Sequence, residues 1–409
     1  MSMRKLLLTT AIITSISSSS FAGESENKYI QTNLVANKAK YKAEITDEKL
    51  VNGWGIATRP AGAGGHFWVE GKDISFQYIG DVKNSPDPKL RKLHQEDVPY
   101  IKIPTGSEDA FTTGVVFVNT KDNFVITQKM DGIEPIVAPS KFIFASDGGV
   151  ISAWTERKNS DGSFDRPVDA VTVIDESNDG VQFFGLAINA DYNRIYAANF
   201  GENPDIKVYD GNFKAEKVKF DMPFDDNKNG KVDPGEYAPF NIQALTTPEG
   251  KNHIFVAYAK TQTCPEEEVE SGACAEGEMF VGEEDTSVPG NGRVAEFTQD
   301  GKLVNILNDG GKLSAPWGFS FAPSDFGALS GKLLVTNFGD GTIAAYDYKT
   351  KKFVDYLHDE NGKAIEIKQI WGIAFGNGAS LGDKNALYFA AGPDDEADGL
   401  FGSLRPANY

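Results

Sequence analysis

The sequence predicts an all-β fold, a six-bladed β-propeller, and three observations carry that reading. A short apolar phrase, aromatic-led in five copies and aromatic-glycine in four, recurs six times, and each copy is followed by a second apolar strand. Between these pairs no stretch of ten or more residues holds the 3.6-residue periodicity of a helix. Glycine is frequent, 42 of 409 residues, as a turn-rich chain requires. Many short strands at even spacing, with one signature per unit, describe a propeller.

The first 22 residues stand outside the fold. Arg4 and Lys5 precede an apolar run from Leu6 to Ile16, and Ser20-Phe21-Ala22 places small residues at −3 and −1 before Gly23. This is the pattern of a secretory signal cleaved after Ala22. Residues 23–409 form the propeller. Tyr29 to Ala36 alternates like a strand and precedes the first signature, so it is expected to close the ring as the outer strand of the sixth blade.

The six units begin at Trp54-Gly55-Ile56, Thr113-Gly114-Val115, Phe184-Gly185-Leu186, Phe240-Asn241-Ile242, Trp317-Gly318-Phe319 and Trp371-Gly372-Ile373. Several add a third strand after a Gly/Asp turn, as at Asp205–Asp210 and Thr342–Asp347. Glycine in the innermost strand lets neighbouring backbones approach closely. The preceding Trp54, Trp317 or Trp371 is expected to wedge between blades and bury a large area.

Three polar segments interrupt the pattern. Residues 225–236 match the twelve-residue calcium loop: Asp225, Asn227 and Asn229 at positions 1, 3 and 5, and Gly230 at the turn. The Lys231 carbonyl falls at position 7, Asp233 at 9 and Glu236 at 12 as bidentate ligand. Pro223 and Pro239 flank it, so the expectation is a single structural Ca²⁺ loop grafted between blades. Residues 261–290 form an acidic insertion with nine carboxylates and no Lys or Arg, expected as a solvated loop. It contains the only two cysteines, Cys264 and Cys274, which export would join in a local disulfide worth about 3 kcal/mol. Asp394-Asp395-Glu396-Ala397-Asp398 resembles a second calcium loop, but Arg405 falls at the twelfth place, so a solvated or channel-mouth acidic turn is expected.

The strand and signature phrases Asn33-Leu34-Val35, Trp54-Gly55-Ile56-Ala57, Tyr237-Ala238-Pro239-Phe240-Asn241, Ala315-Pro316-Trp317-Gly318, Asn337-Phe338-Gly339-Asp340-Gly341 and Gly399-Leu400-Phe401-Gly402 span nearly the whole mature chain. With them the chain resembles a family of exported bacterial propeller proteins, some bearing PEP-CTERM sorting tails. More distantly it is similar to NHL and SMP-30-like propellers. The resemblance implies fold and export and no particular activity. SMP-30-like proteins are often calcium-dependent hydrolases with a Glu/Asn/Asp cage in the channel. Here Asn52, Asn199, Asn241 and Asn337 fall near signature strands without a glutamate at a matching place.

Composition narrows the function classes. Lys and Arg number 40 against 59 Asp and Glu, a formal charge of −19. That balance argues against nucleic acid as a partner, because phosphate binding needs a basic face. The four histidines, His66, His94, His253 and His358, form no HxxxH or HxH pair, which disfavours a His-rich zinc site. The reading is an exported, periplasmic or extracellular monomer without a transmembrane segment in the mature chain. It acts as a binding or structural module for an unspecified ligand or protein partner. The alternative is a calcium-dependent lactonase- or esterase-like hydrolase with its site at the channel mouth. Asn and carboxylate groups converging in the channel favour the hydrolase; an aromatic plug favours the module.

Overall fold

Six small antiparallel sheets surround one axis in a computed structural model that describes residues 26–60, 66–79, 94–378 and 381–407. The expected signal peptide and its cleavage site after Ala22 lie outside the described residues. Blade one runs Ile56–Ala57, Phe67–Gly71, Ile74–Ile79 and His94–Lys102. Blade two runs Thr112–Phe117, Phe142–Ser146, Val150–Trp154 and Val171–Asp175, and blade three Phe183–Ile188, Arg194–Asn199 and Asp205–Asp210. Blade four runs Tyr237–Thr246, Asn252–Thr263, Gly292–Phe297 and Leu303–Ile306; blade five Pro316–Phe321, Leu333–Asn337, Ile343–Asp347 and Lys352–Tyr356. Blade six takes Ile370–Phe375, Leu387–Ala391 and Leu400–Pro406 from later in the chain and Tyr29–Ala36 as its fourth strand, with the short Ile45–Thr46 paired parallel at its outer edge.

Closure is therefore made as expected. Tyr29–Ala36 pairs antiparallel with Leu400–Pro406, from Tyr29 opposite Pro406 to Ala36 opposite Leu400. The Tyr29 hydroxyl donates to the Phe326 carbonyl of blade five at 2.9 Å, which ties the closing strand to the preceding blade.

Each interface between successive blades is a separate apolar core. Trp68 of blade one stacks on Phe142 of blade two at 4.0 Å, and Phe67 meets Tyr388 of blade six at 4.5 Å. The apolar positions come from alternate residues of buried strands, so both faces of every blade are covered.

The signature glycines set how tightly the inner strands close. A Cβ on Gly372 would stand 2.7 Å from the Trp54 carbonyl oxygen, and one on Gly318 2.6 Å from that of Trp371. Gly55, Gly114 and Gly185 meet the next blade in the same way. Any larger residue forces adjacent blades apart. Blade four carries Asn241 at this place, and its side-chain amide donates to the Trp317 carbonyl at 2.6 Å, replacing close approach by a hydrogen bond.

Blade three stops at three strands. After Asp210 a single bridge between Tyr209 and Ala215 continues its edge. The chain then crosses to blade four through the twelve-residue loop. The acidic insertion is not merely a solvated loop: it folds into a short helix, Glu266–Ser271, and a strand, Met279–Glu284, which pairs with the end of Asn252–Thr263. Cys264 and Cys274 are bonded, with Cα atoms 6.0 Å apart. Among the described residues no helix is long and apolar enough to cross a membrane.

Candidate functional site

The signature aromatics do not wedge between adjacent blades as expected. They converge on the axis. Trp54 stacks on Trp371 at 3.9 Å, and Trp371 on Phe338 at 4.0 Å. Phe184 and Phe240, 5.5 Å apart, fill the middle, and Trp54 reaches across from blade one to Phe184 of blade three. The Trp317 indole N–H donates to the Phe184 carbonyl at 3.0 Å, bridging blades five and three. A strand directed inward at six-fold crowding brings its first large side chain to the centre, not to the seam. These rings are almost wholly buried, so one end of the channel is a packed plug.

Carboxylates crown the plug. The Trp371 indole N–H donates to the Asn52 side-chain oxygen at 2.8 Å, and the Asn52 amide donates to Glu396 at 2.5 Å. Glu396 sits in a turn where Asp394, Asp395 and Glu396 all take left-handed backbone conformations, φ 65°, 51° and 63°. Each costs about 1–2 kcal/mol for a residue with a Cβ. Lys40 holds this turn through Asp394 at 2.9 Å and Asp398 at 2.7 Å. From blade two, Asp147 accepts the Phe111 backbone N–H at 2.7 Å. From the acidic insertion, the strand Met279–Glu284 brings Glu283 and Glu284 within electrostatic reach of Glu396, and its Gly282 packs against Gln182.

These acids act on one another. Burial pushes Glu396 up to about 7, and the charges of Glu283, Asp147 and Asp395 add to it. Burial alone lifts Asp147 to about 7, against the lowering effect of its backbone hydrogen bonds. Glu284 is held well above the ordinary carboxyl range by burial, then by Glu396 and Glu283. The expected channel-mouth role of the 394–398 run is met by Glu396. Sequence reasoning missed Asp147 and the inward reach of Glu284.

The other asparagines do not form a cage. Asn199 bonds to the Asn203 carbonyl and to Asp205, and Asn337 to the Lys312 carbonyl and Thr342, each bracing its own blade.

The opposite mouth is open, a cavity of 390 Å³ bordered by Thr58, Phe117, Ile188, Leu245 and His253. Behind it lies Glu296, 3% exposed. It accepts from Tyr348 at 2.6 Å, Asn305 at 3.1 Å and Lys351 at 3.1 Å, and contacts the His253 ring nitrogen at 2.6 Å. Against the pull of burial, these bonds hold its carboxyl below the usual range.

The twelve-residue loop gathers its predicted ligands into one cup. Asp225 accepts the backbone N–H groups of Asn229 at 3.1 Å and Gly230 at 2.8 Å. The Asn227 and Asn229 amides donate to Asp233 at 2.9 and 2.7 Å, and Asn227 also to Glu236 at 3.0 Å. Glu236 accepts the Asp233 N–H at 2.9 Å and is buried. Gly230 has φ +78°, with open space where a Cβ would stand. The Lys231 ammonium pairs with Asp233 at 2.7 Å. Among the described residues no three carboxylate, His or Cys groups are drawn together tightly enough to cage a metal.

No protein-family model matches the chain. Three proteins of Acanthamoeba polyphaga mimivirus, each named only as an uncharacterized protein, are similar to it. One is 26% identical over 377 residues, 91% of this chain and 78% of the relative. Another is 30% identical over 212 residues, 52% of this chain and 49% of the relative. A third is 27% identical over 236 residues, 58% of this chain and 38% of the relative. Each relative extends beyond the part this chain matches, and none of their names carries an activity.

Proposed function

We propose that the protein is an exported binding module, with residues 225–236 as a structural Ca²⁺ loop and the bacterial exported propellers as its kin. The observation that carries this reading is the aromatic plug. Trp54, Phe184, Phe240, Trp317, Phe338 and Trp371 fill the end of the channel next to Asn52 and Glu396, where a metal cage of the hydrolase kind would need open space. Asn52 alone meets a channel carboxylate, so the hydrolase alternative has one Asn–Glu contact in its favour and three asparagines turned elsewhere. The fold itself decides nothing between these classes. The signal-peptide pattern and the disulfide support export.

The donor set of the loop suits calcium. Asp225, Asp233 and Glu236 supply three carboxylates, Asn227 and Asn229 two amide oxygens when their amides turn over, and Lys231 a backbone carbonyl. In the cup as it stands, two amide NH₂ groups and the Lys231 ammonium face the carboxylates, the task a divalent cation would take over. Three charged ligands in an unpaired loop suggest a Kd of about 10⁻⁵ to 10⁻³ M. Calcium fixes the crossing from blade three to blade four, where the fourth strand of blade three is missing. The test is calorimetric calcium titration of chelator-stripped protein. One site is expected, largely lost in Glu236→Gln. An identical isotherm for both proteins, or no heat and no shift in melting temperature at millimolar calcium, overturns the assignment.

A further inference from the structure

The crossing from blade three to blade four encloses a second cavity, distinct from both channel mouths. Its volume is 700 Å³, within the range of small-molecule sites. One wall is the 225–236 loop through Val232, and another is the insertion strand through Met279. Met222 and Phe224 supply further apolar surface. The base includes Tyr258, whose ring meets Phe224 edge-on at 4.9 Å. Tyr258 is only 5% exposed, and among the described residues no hydrogen bond engages its hydroxyl, which is not sealed in the core but belongs to the cavity lining. A phenol hydroxyl that lines a cavity and is not used by the protein is free to bond a ligand there. The charged lining is lopsided, Glu202, Asp205, Asp221, Asp225 and Asp233 against Lys219 and Lys231, with Lys302 pairing Asp221 at 3.2 Å and Lys207 near Asp205 at 3.8 Å, so Glu202 and Asp225 are the lining acids without an ion pair to a described residue.

We propose that this cleft binds a small organic cation with an aromatic or apolar body and a hydrogen-bonding oxygen directed at Tyr258. The apolar body fills the space between Met222, Phe224, Val232 and Met279. The acidic rim supplies the preference for positive charge, and the Tyr258 hydroxyl fixes orientation. This rests on the binding-module reading and gives it a ligand class. Asp225 and Asp233 belong to both the cleft and the calcium loop, so the acidic rim is fullest in calcium-free protein, and the cleft is expected to bind its cation without the metal.

Berberine, a planar quaternary cation with ether oxygens whose fluorescence rises in apolar surroundings, is a suitable probe. It is titrated into the whole mature protein, once with calcium and once with chelator. Saturable one-site binding in either condition supports the cleft, which keeps its failure separate from failure of the calcium reading. Met279→Trp fills the space and should weaken binding at least tenfold. Tyr258→Phe keeps the ring and removes the hydroxyl, so about a three- to tenfold loss is expected, the worth of one neutral hydrogen bond. Neutral Nile red should bind less tightly than berberine. Glu284→Gln, at the channel mouth, should leave berberine binding unchanged. Thermal melts of each variant establish that it is folded. Absence of saturable binding up to about 100 µM, equal binding by folded Met279→Trp, or loss of binding in Glu284→Gln overturns the proposal.

Discussion

Glu296 and Glu396 occupy opposite faces of the same propeller, and they have opposite surroundings. Glu296 is enclosed by donors, with Lys351 at 3.1 Å, Tyr348 at 2.6 Å and His253 at 2.6 Å. Glu396 has a single amide, Asn52, and otherwise faces Glu283, Asp147 and Asp395. The first arrangement stabilises an ionised carboxylate. The second leaves burial and like charge uncompensated, so the proton is retained near neutral pH. A buried acid completed by its own chain is a structural part. A group of acids the chain does not complete is left to protons, or to a cation from outside.

The same substitution should therefore have opposite signs at the two sites. Glu296→Gln removes the charge that faces Lys351 and leaves that ammonium poorly compensated. It should destabilise the protein by about 3 kcal/mol in denaturant melts. Glu396→Gln keeps an oxygen for the Asn52 amide and removes the strained charge. It should stabilise the protein by about 1–3 kcal/mol at pH 8, the scale set by the rise of its carboxyl to about 7. Destabilisation at both sites would break the comparison.

Stability against pH sharpens it. Glu396 and Asp147 have raised values, so the folded protein binds more protons than the unfolded chain between about pH 4 and 7. Their contribution falls as pH rises through that window and is level above it. Glu296 behaves inversely. Its lowered value gives stability present above the unfolded carboxyl range and lost as pH falls through its folded value. The double variant Glu396→Gln, Asp147→Asn should flatten the decline between pH 5 and 7 and leave the acid limb in place. The smallest effect is expected from Asp394→Asn. Its pair with Lys40 is exposed and Asp398 still holds that ammonium, so the change should stay under about 1 kcal/mol.

Much of the ring was legible in the sequence because propeller strands are local and repetitive. The signature glycines marked the close approach of inner strands, and Tyr29–Ala36 marked the closing strand, since both are patterns of neighbouring residues. The plug was misread because a Trp-Gly phrase reveals burial and not direction. Whether Trp54 turns to the seam or to the axis depends on Trp371 and Phe184, which lie far along the chain. Asp147, Glu284 and Glu396 meet only after three blades and an insertion have closed around the axis. Acidic runs hinted at two of them; nothing near Asp147 did. Tyr258 gave no signal, since an apolar strand position and a cavity floor have the same local sequence.

The most direct test of this account is a carboxyl ¹³C NMR titration of protein labelled at glutamate and aspartate, with Glu396→Gln, Asp147→Asn and Glu296→Gln used for assignment. Midpoints of about 7 are expected for Glu396 and Asp147, with a Glu296 signal that stays ionised down through the ordinary carboxyl range. Midpoints near the ordinary value for all three would contradict it, because the two faces would then be electrostatically alike.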